Sequence, residues 1–278
     1  MTSMLLVCIL VSLQLFSYAE GGFFGSIVPQ SPSSTTFWGT EKKSALSSKV
    51  ASKETGISSS GDVAGSGSSE DMFLSGTFTC PDSGEKFRIR QVPGDGGCLF
   101  HALTVALIFE KTGVHRVFDG KTREMSDKLR KLSVLLLKRK DVTLFIENGE
   151  ATTSSELLRI VSEHYNMTER EYCDQMLLSN SWGGGPEIVA LCNHLQRPVH
   201  VYDLRRKSNI EKKERGDVKW CAENACELYC LQVCGKFGSP QYDDETPLKI
   251  LCADGRFPNS LDVDESKPGD HFFSLVQA

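Results

Sequence analysis

The chain has 278 residues, 40% of them hydrophobic and 24% charged, a composition that can bury a core. That length holds one sizeable domain with a tail, or two small domains. A formal net charge of −5 excludes a nucleic-acid binder that works through bulk positive charge.

Residues 1–19 read as a secretory-type signal peptide. The apolar run Met4 to Phe16 is too short to span a bilayer, and Ser17-Tyr18-Ala19 supplies the small residues of a cleavage site. No Lys or Arg precedes the run. Residues 20–71 are rich in Ser, Thr and Gly, bury too little apolar surface to offset ordering entropy, and are expected to be disordered. Within them, Gly25 to Ser60 is hydroxyl-rich and slightly basic, with Glu41 and Glu54 the only carboxylates. That composition fits a transit-like segment or a plain linker. A signal followed by a transit-like stretch predicts entry into the secretory pathway and onward delivery to a secondary plastid or its surrounding compartment; secretion is the alternative. No later segment is apolar enough to cross a membrane, so no stable span is expected once the signal is removed.

The folded domain is expected over 72–278. Phe73 to Val92 reads as strand broken by the turn Pro81-Asp82-Ser83-Gly84. A glycine-rich turn follows, and Leu99, Ala102, Leu103, Ala106 and Leu107 then recur at helical spacing, predicting a helix from about Cys98 to Lys111. Met125, Leu129, Leu132 and Leu136 give the apolar face of a second helix over Thr122 to Lys140, with its Lys and Arg residues on a solvated face. The basic run Arg205 to Lys213 reads as a solvated polar loop. Ser154 or Ser155 caps a helix to about Tyr165, Thr168 caps another to Leu178, and Pro186 opens a helix through Leu195. Strands are predicted at Pro198 to Leu204, Leu228 to Val233, Leu248 to Leu251 and His271 to Val276. Helices cluster early and strands late, which predicts α+β, a mixed sheet flanked by helices.

Ten cysteines behind a signal invite a disulfide reading, but losing Cys8 with the leader leaves nine, an odd number. Cys226, Cys230 and Cys234 share the parity of one strand face. With Cys221 they suggest a metal site, yet their spacing matches no zinc pattern and no paired CxxC is present. Buried small thiols are the preferred reading, and no metal or organic cofactor is expected.

The chemistry centres on Asp95-Gly96-Gly97-Cys98-Leu99-Phe100-His101-Ala102. A cysteine at a helix start faces free N–H groups and the positive end of the helix dipole, both of which favour a thiolate. Glycines at 94, 96 and 97 let the main chain approach a substrate carbonyl, and the turn's amides suit an oxyanion. A buried structural thiol is the competing reading. Of six histidines, His271 ranks first as base, because it opens an apolar strand after a loop. His200 alternates within a core strand. His115, His164 and His194 sit in polar contexts, and His101, three residues past Cys98 on the same face, is poorly placed for an in-line proton transfer.

The octapeptide Asp95 to Ala102 resembles the nucleophile box of the ovarian-tumour (OTU) family of cysteine deubiquitinases. Trp182-Gly183-Gly184 followed by Glu187 resembles the family's central tryptophan-glycine-glycine element, and Pro198-Val199-His200-Val201-Tyr202 the strand after it. His271-Phe272-Phe273-Ser274-Leu275 falls where the family carries its catalytic histidine. The four elements occur in family order over about Arg88 to Val276.

The resemblance implies an OTU-like, papain-like fold and a thiol isopeptidase with ubiquitin or ubiquitinated proteins as partner. It makes Cys98 the nucleophile, His271 the base and Asp95 the residue holding the turn. The Asp95 to Cys98 loop, with Gly96 and Gly97 binding substrate, would cradle the oxyanion, and Trp182, Gly183 and Gly184 would line a narrow path for a diglycine tail. One position departs. Relatives place Asp or Asn two residues after the histidine to orient the ring, and Phe273 stands there. The resemblance leaves Asp95, Asp264 or no group as the orienter. It also leaves open a decayed ubiquitin-binding protein, or a peptidase for another diglycine-tailed modifier.

Overall fold

One curved sheet organises the domain. The structure, a computed structural model, describes residues 72–147, 149–207, 224–258 and 269–278, all within one compact unit. The leader, the 20–71 segment, Cys221, Asp264 and most of the Arg205–Lys213 run lie outside the described residues.

In chain order the elements are β1 (Phe78–Thr79), β2 (Lys86–Arg90), α1 (Cys98–Thr112), α2 (Gly120–Leu137), β3 (Thr143–Phe145), β4 (Ala151–Thr153), α3 (Ser154–His164) and α4 (Glu169–Met176). Then follow α5 (Gly185–Leu195), β5 (Val199–Arg206), the single turn α6 (Ala225–Leu228), β6 (Tyr229–Phe237), β7 (Leu248–Ala253) and β8 (His271–Gln277). The six-stranded sheet runs β1-β2-β8-β7-β5-β6, and β3 and β4 form a separate ribbon. Only β5 and β7 pair in parallel; the other pairs are antiparallel. This is the expected α+β arrangement. The chain's last strand lies inside the sheet, bonded to β2 through Arg90↔Ser274 and to β7 through Ala253↔His271.

Alternation along the strands feeds two cores. Phe272 joins Cys98, Leu99 and Phe100 of α1 in the core beneath the helices. Phe273 and Leu275 face the other core, with Phe78, Phe87, Tyr202 and Phe257. No helix among the described residues is long and apolar enough to cross a membrane.

Two local expectations need correction. On the apolar stripe of α2, Leu136 is buried and Leu129 and Leu132 pack against the core, but Met125 is 44% exposed, and the polar Thr122, Ser126, Arg130 and Ser133 are buried as well. Small serines let α1 approach closely, with Ser126 Oγ donating to Thr104 Oγ1 at 3.1 Å, so the buried face of the helix is wider than its apolar stripe. Arg130 therefore leaves the solvated face assigned to its basic run. Thr153, not Ser154, caps α3 through Glu156 N–H, because Ser154 is buried and bonds Val142 and Arg139 instead.

The cysteine face is also broken up. Cys226 lies in α6, and a bulge opposite Val201/Tyr202 shifts parity between Cys230 and Cys234. The cysteines at 80, 98, 173, 192, 226, 230, 234 and 252 are free thiols. Among the described residues no cluster of His, Cys, Asp and Glu is arranged to hold a metal ion.

Candidate active site

Cys98 begins α1, and sterics dictate the turn before it. Gly96 has φ +86°, and a Cβ there would stand 2.4 Å from the main-chain carbonyl of Asn180. At Gly97 a Cβ would lie 2.6 Å from His101 Nε2. Both positions exclude a side chain because another element already occupies the space.

Asp95 braces this turn. Its Oδ1 accepts from the Gly97 N–H at 3.0 Å and from His101 Nε2 at 2.8 Å, and its Oδ2 accepts from the Arg123 guanidinium. Partial burial opposes the charged carboxylate, but the bonds from Arg123, Gly97 and His101 outweigh it and hold the carboxyl at about 2. Both oxygens are committed, so Asp95 holds the turn and makes no hydrogen bond to His271. His101, expected near the site without a role, is a buried brace whose own pKa burial pushes down.

His271 opens β8 at the sheet's end. Its ring meets the Phe273 ring edge-on, with centroids 4.5 Å apart at 73°. The Val92 carbonyl accepts a hydrogen bond from the imidazole. A Cβ on Gly94 would stand 3.4 Å from His271 Cε1, so the loop ahead of the nucleophile runs alongside the ring. Among the described residues, the contacts that orient this histidine are a main-chain carbonyl and an aromatic edge. Burial lowers its pKa, and the Asp270 charge and the Val92 bond oppose that.

The Cys98 sulfur accepts from the main-chain N–H of Phe272, the residue next to His271, which places the thiol at the head of β8. Only 4% of Cys98 is exposed, and burial pushes the thiol up to about 11 despite the Phe272 and Leu99 N–H groups. Asp95 and Asp270 add to the rise. Desolvation thus works against the thiolate expected from the helix start and outweighs the nearby N–H groups.

Trp182, Gly183 and Gly184 form the neighbouring wall. A Cβ on Gly183 would lie 2.8 Å from the Phe100 ring and 2.9 Å from Leu99 Cδ2, so this segment packs flat on the first turn of α1. Gly184 donates its N–H to Glu187 Oε2 at 2.8 Å, and the Tyr172 hydroxyl donates to Oε1 at 2.7 Å. Glu187 is fully buried. Trp182 is 51% exposed, and Leu177 and Leu178 are exposed as well.

The sequence reading missed four contributors: His101 and Arg123 as braces of Asp95, Arg130, and the Val92 carbonyl. A polar residue on a helix's small-residue stripe was the available signal for Arg130. A main-chain carbonyl leaves none.

A model of the family described as OTU-like cysteine protease matches residues 93–238, a little over half of the chain. That segment includes Cys98 and Trp182-Gly183-Gly184; His271 lies beyond it. The OVARIAN TUMOR DOMAIN-containing deubiquitinating enzyme 3 of Arabidopsis thaliana is 28% identical over 120 residues, covering 42% of this chain and 46% of the relative. The chain is thus matched over about half the relative's length. A solved ovarian-tumour domain in complex with ubiquitin is similar at 15% identity and a TM-score of 0.35, covering 72% of this chain and 76% of that one. The Hazara virus OTU bound to ubiquitin is similar at 20% identity and a TM-score of 0.39, covering 76% and 94%. An OTU deubiquitinase from Wolbachia pipientis wMel bound to ubiquitin is similar at 17% identity and a TM-score of 0.35, covering 69% and 96%. By its family match, and with a cysteine at the helix start behind a glycine turn, this chain belongs to the OTU-like cysteine proteases.

Proposed function

We propose that this chain is a thiol-dependent deubiquitinase that hydrolyses peptide or isopeptide bonds at the C-terminal glycine of ubiquitin. One observation carries the reading: the Cys98 sulfur accepts from the main-chain N–H of Phe272, the residue after His271 on β8, while Gly183 lies flat against the helix turn that bears the sulfur. A path walled by glycine main chain admits a tail without side chains. The name of the Arabidopsis relative supports ubiquitin as the tail's owner.

The resting pair is a neutral thiol and a neutral imidazole, since burial disfavours the charged form of each. His271 takes the Cys98 proton as the sulfur attacks the glycine carbonyl. The Cys98 main-chain N–H, at the helix start, is the donor for the oxyanion; the Gly97 N–H is already bonded to Asp95. Collapse to a thioester expels the amine, which receives the proton from His271, and water then hydrolyses the thioester with His271 as base again. Asp95 acts through the turn and is a positioning residue. The leader belongs to the same proposal: it carries the enzyme into the secretory pathway and on to a plastid-surrounding compartment, which a fluorescent fusion of Met1 to Ser66 tests by imaging.

Fluorogenic amides of ubiquitin and of other diglycine-tailed modifiers test the activity. The proposal expects turnover of the ubiquitin amide that vanishes in Cys98→Ala. Tight ubiquitin binding without turnover points to a decayed binder, and turnover of only another modifier reassigns the substrate.

A further inference from the structure

We propose that Arg130 is a positioning residue for the Cys98 nucleophile, clamping the glycine turn to the segment that leads into Trp182-Gly183-Gly184. The inference rests on the reading of Cys98 as nucleophile and adds a residue to that site. Arg130 lies mid-way along α2 and is 3% exposed. One end of its guanidinium, Nη2, donates to the Gly96 carbonyl at 3.1 Å and to the Ser179 carbonyl at 3.1 Å. The other, Nη1, donates to the carbonyls of Met176 at 3.1 Å and Ser181 at 2.7 Å. The side chain stacks over the Phe100 ring, 4.5 Å from its centroid, the ring against which Gly183 packs. One planar fork therefore holds the turn ahead of Cys98, the 176–181 segment and the floor of the glycine wall.

Two features mark this as more than core filling. Three of the four main-chain acceptors, Gly96, Ser179 and Ser181, lie in loops that frame the site, the fourth, Met176, ends α4, and Gly96 is two residues from Cys98. The positive charge also interacts with Cys98, as well as with Glu187, Asp127 and Asp95. Around the sulfur, Asp95 on its own turn, Asp270 on the approach to β8 and Cys252 on β7 oppose ionisation. Arg130 is the buried cation among these groups.

The test compares Arg130→Lys and Arg130→Met with the wild type. Lysine keeps the charge but has no planar fork, so kcat should fall about tenfold to a hundredfold with KM within about twofold, the signature of a misplaced reacting group. Methionine also removes the charge, so the midpoint for Cys98 alkylation by iodoacetamide should rise by about one pH unit above that of the lysine variant. Lysine and methionine variants with wild-type kcat and an unmoved midpoint overturn the proposal. Amide hydrogen exchange on the wild-type chain needs no variant: segments 96–99 and 177–184 should open together, with protection within about tenfold. Separate opening, with the turn exchanging more than about a hundredfold faster, contradicts the clamp. If the wild type leaves ubiquitin amides intact, the functional reading fails, while alkylation and exchange still decide the role of Arg130.

Discussion

At the scale of single residues, the site is governed by what burial does to charge. Cys98 and His271 are both pushed toward their neutral forms. Resting alkylation of Cys98 by iodoacetamide should therefore keep rising above pH 9; a plateau reached below neutrality would reveal a preformed ion pair instead. Asp95 behaves oppositely. Its folded pKa of about 2 lies below the usual carboxylate value, so its contribution to stability is present above about pH 4 and is lost as pH falls through about 2. Asp95→Asn should flatten acid unfolding in that window, and a slope equal to wild type would remove Asp95 as the brace. Phe273, two residues past His271, is 4% exposed in an aromatic cluster with Phe257 and His271. Because Val92 already accepts from the imidazole, Phe273→Asn should not raise turnover, and loss of the buried ring should destabilise by about 3–5 kcal/mol. A faster Asn variant would show that the ring lacks an adequate orienter.

At the scale of elements, the start of α1 and the segment before α5 are shaped by each other. Gly96 meets Asn180 main chain and Gly183 meets the Phe100 ring, so neither loop can take a Cβ without moving the other. Gly96→Ala should be the more severe change, combining a left-handed backbone position with a clash against main chain, and should abolish turnover while lowering Tm. Wild-type turnover in that variant would mean the turn can be rebuilt. Tyr172→Phe leaves one oxygen of the buried Glu187 without its donor and should cost about 1–3 kcal/mol, read from denaturant unfolding.

Helices α1, α4 and α5 were legible because their stripes or caps are local signals; Thr168 and Glu171 form a capping box in so many residues. The ribbon of β3 and β4 was not. Each strand has three residues, too few for alternation to show, and its pairing is fixed by tertiary contacts such as Glu147 with Phe237. Nor was the burial of Arg130, since its partners are carbonyls 34 to 51 positions away in the chain.

At the scale of the whole molecule, the site exists because the last strand is an interior one. Sequence order places Cys98 early and His271 late, and nothing in the spacing states that β8 inserts between β2 and β7. The motifs could be read one by one; their convergence depended on strand pairing. Deleting residues 271–278 should therefore remove both neighbours' hydrogen bonds and abolish cooperative unfolding, whereas loss of an edge strand would be milder.

The central claim is that one thiol, matched to one imidazole, meets the end of a ubiquitin tail. Incubating the full chain with ubiquitin carrying a C-terminal electrophile, then mapping the adduct by peptide mass spectrometry, tests it most directly. A single adduct at Cys98, sharply reduced in His271→Ala while the other thiols stay unlabelled, is the predicted result. Labelling spread over several cysteines, or undiminished without the imidazole, contradicts the account.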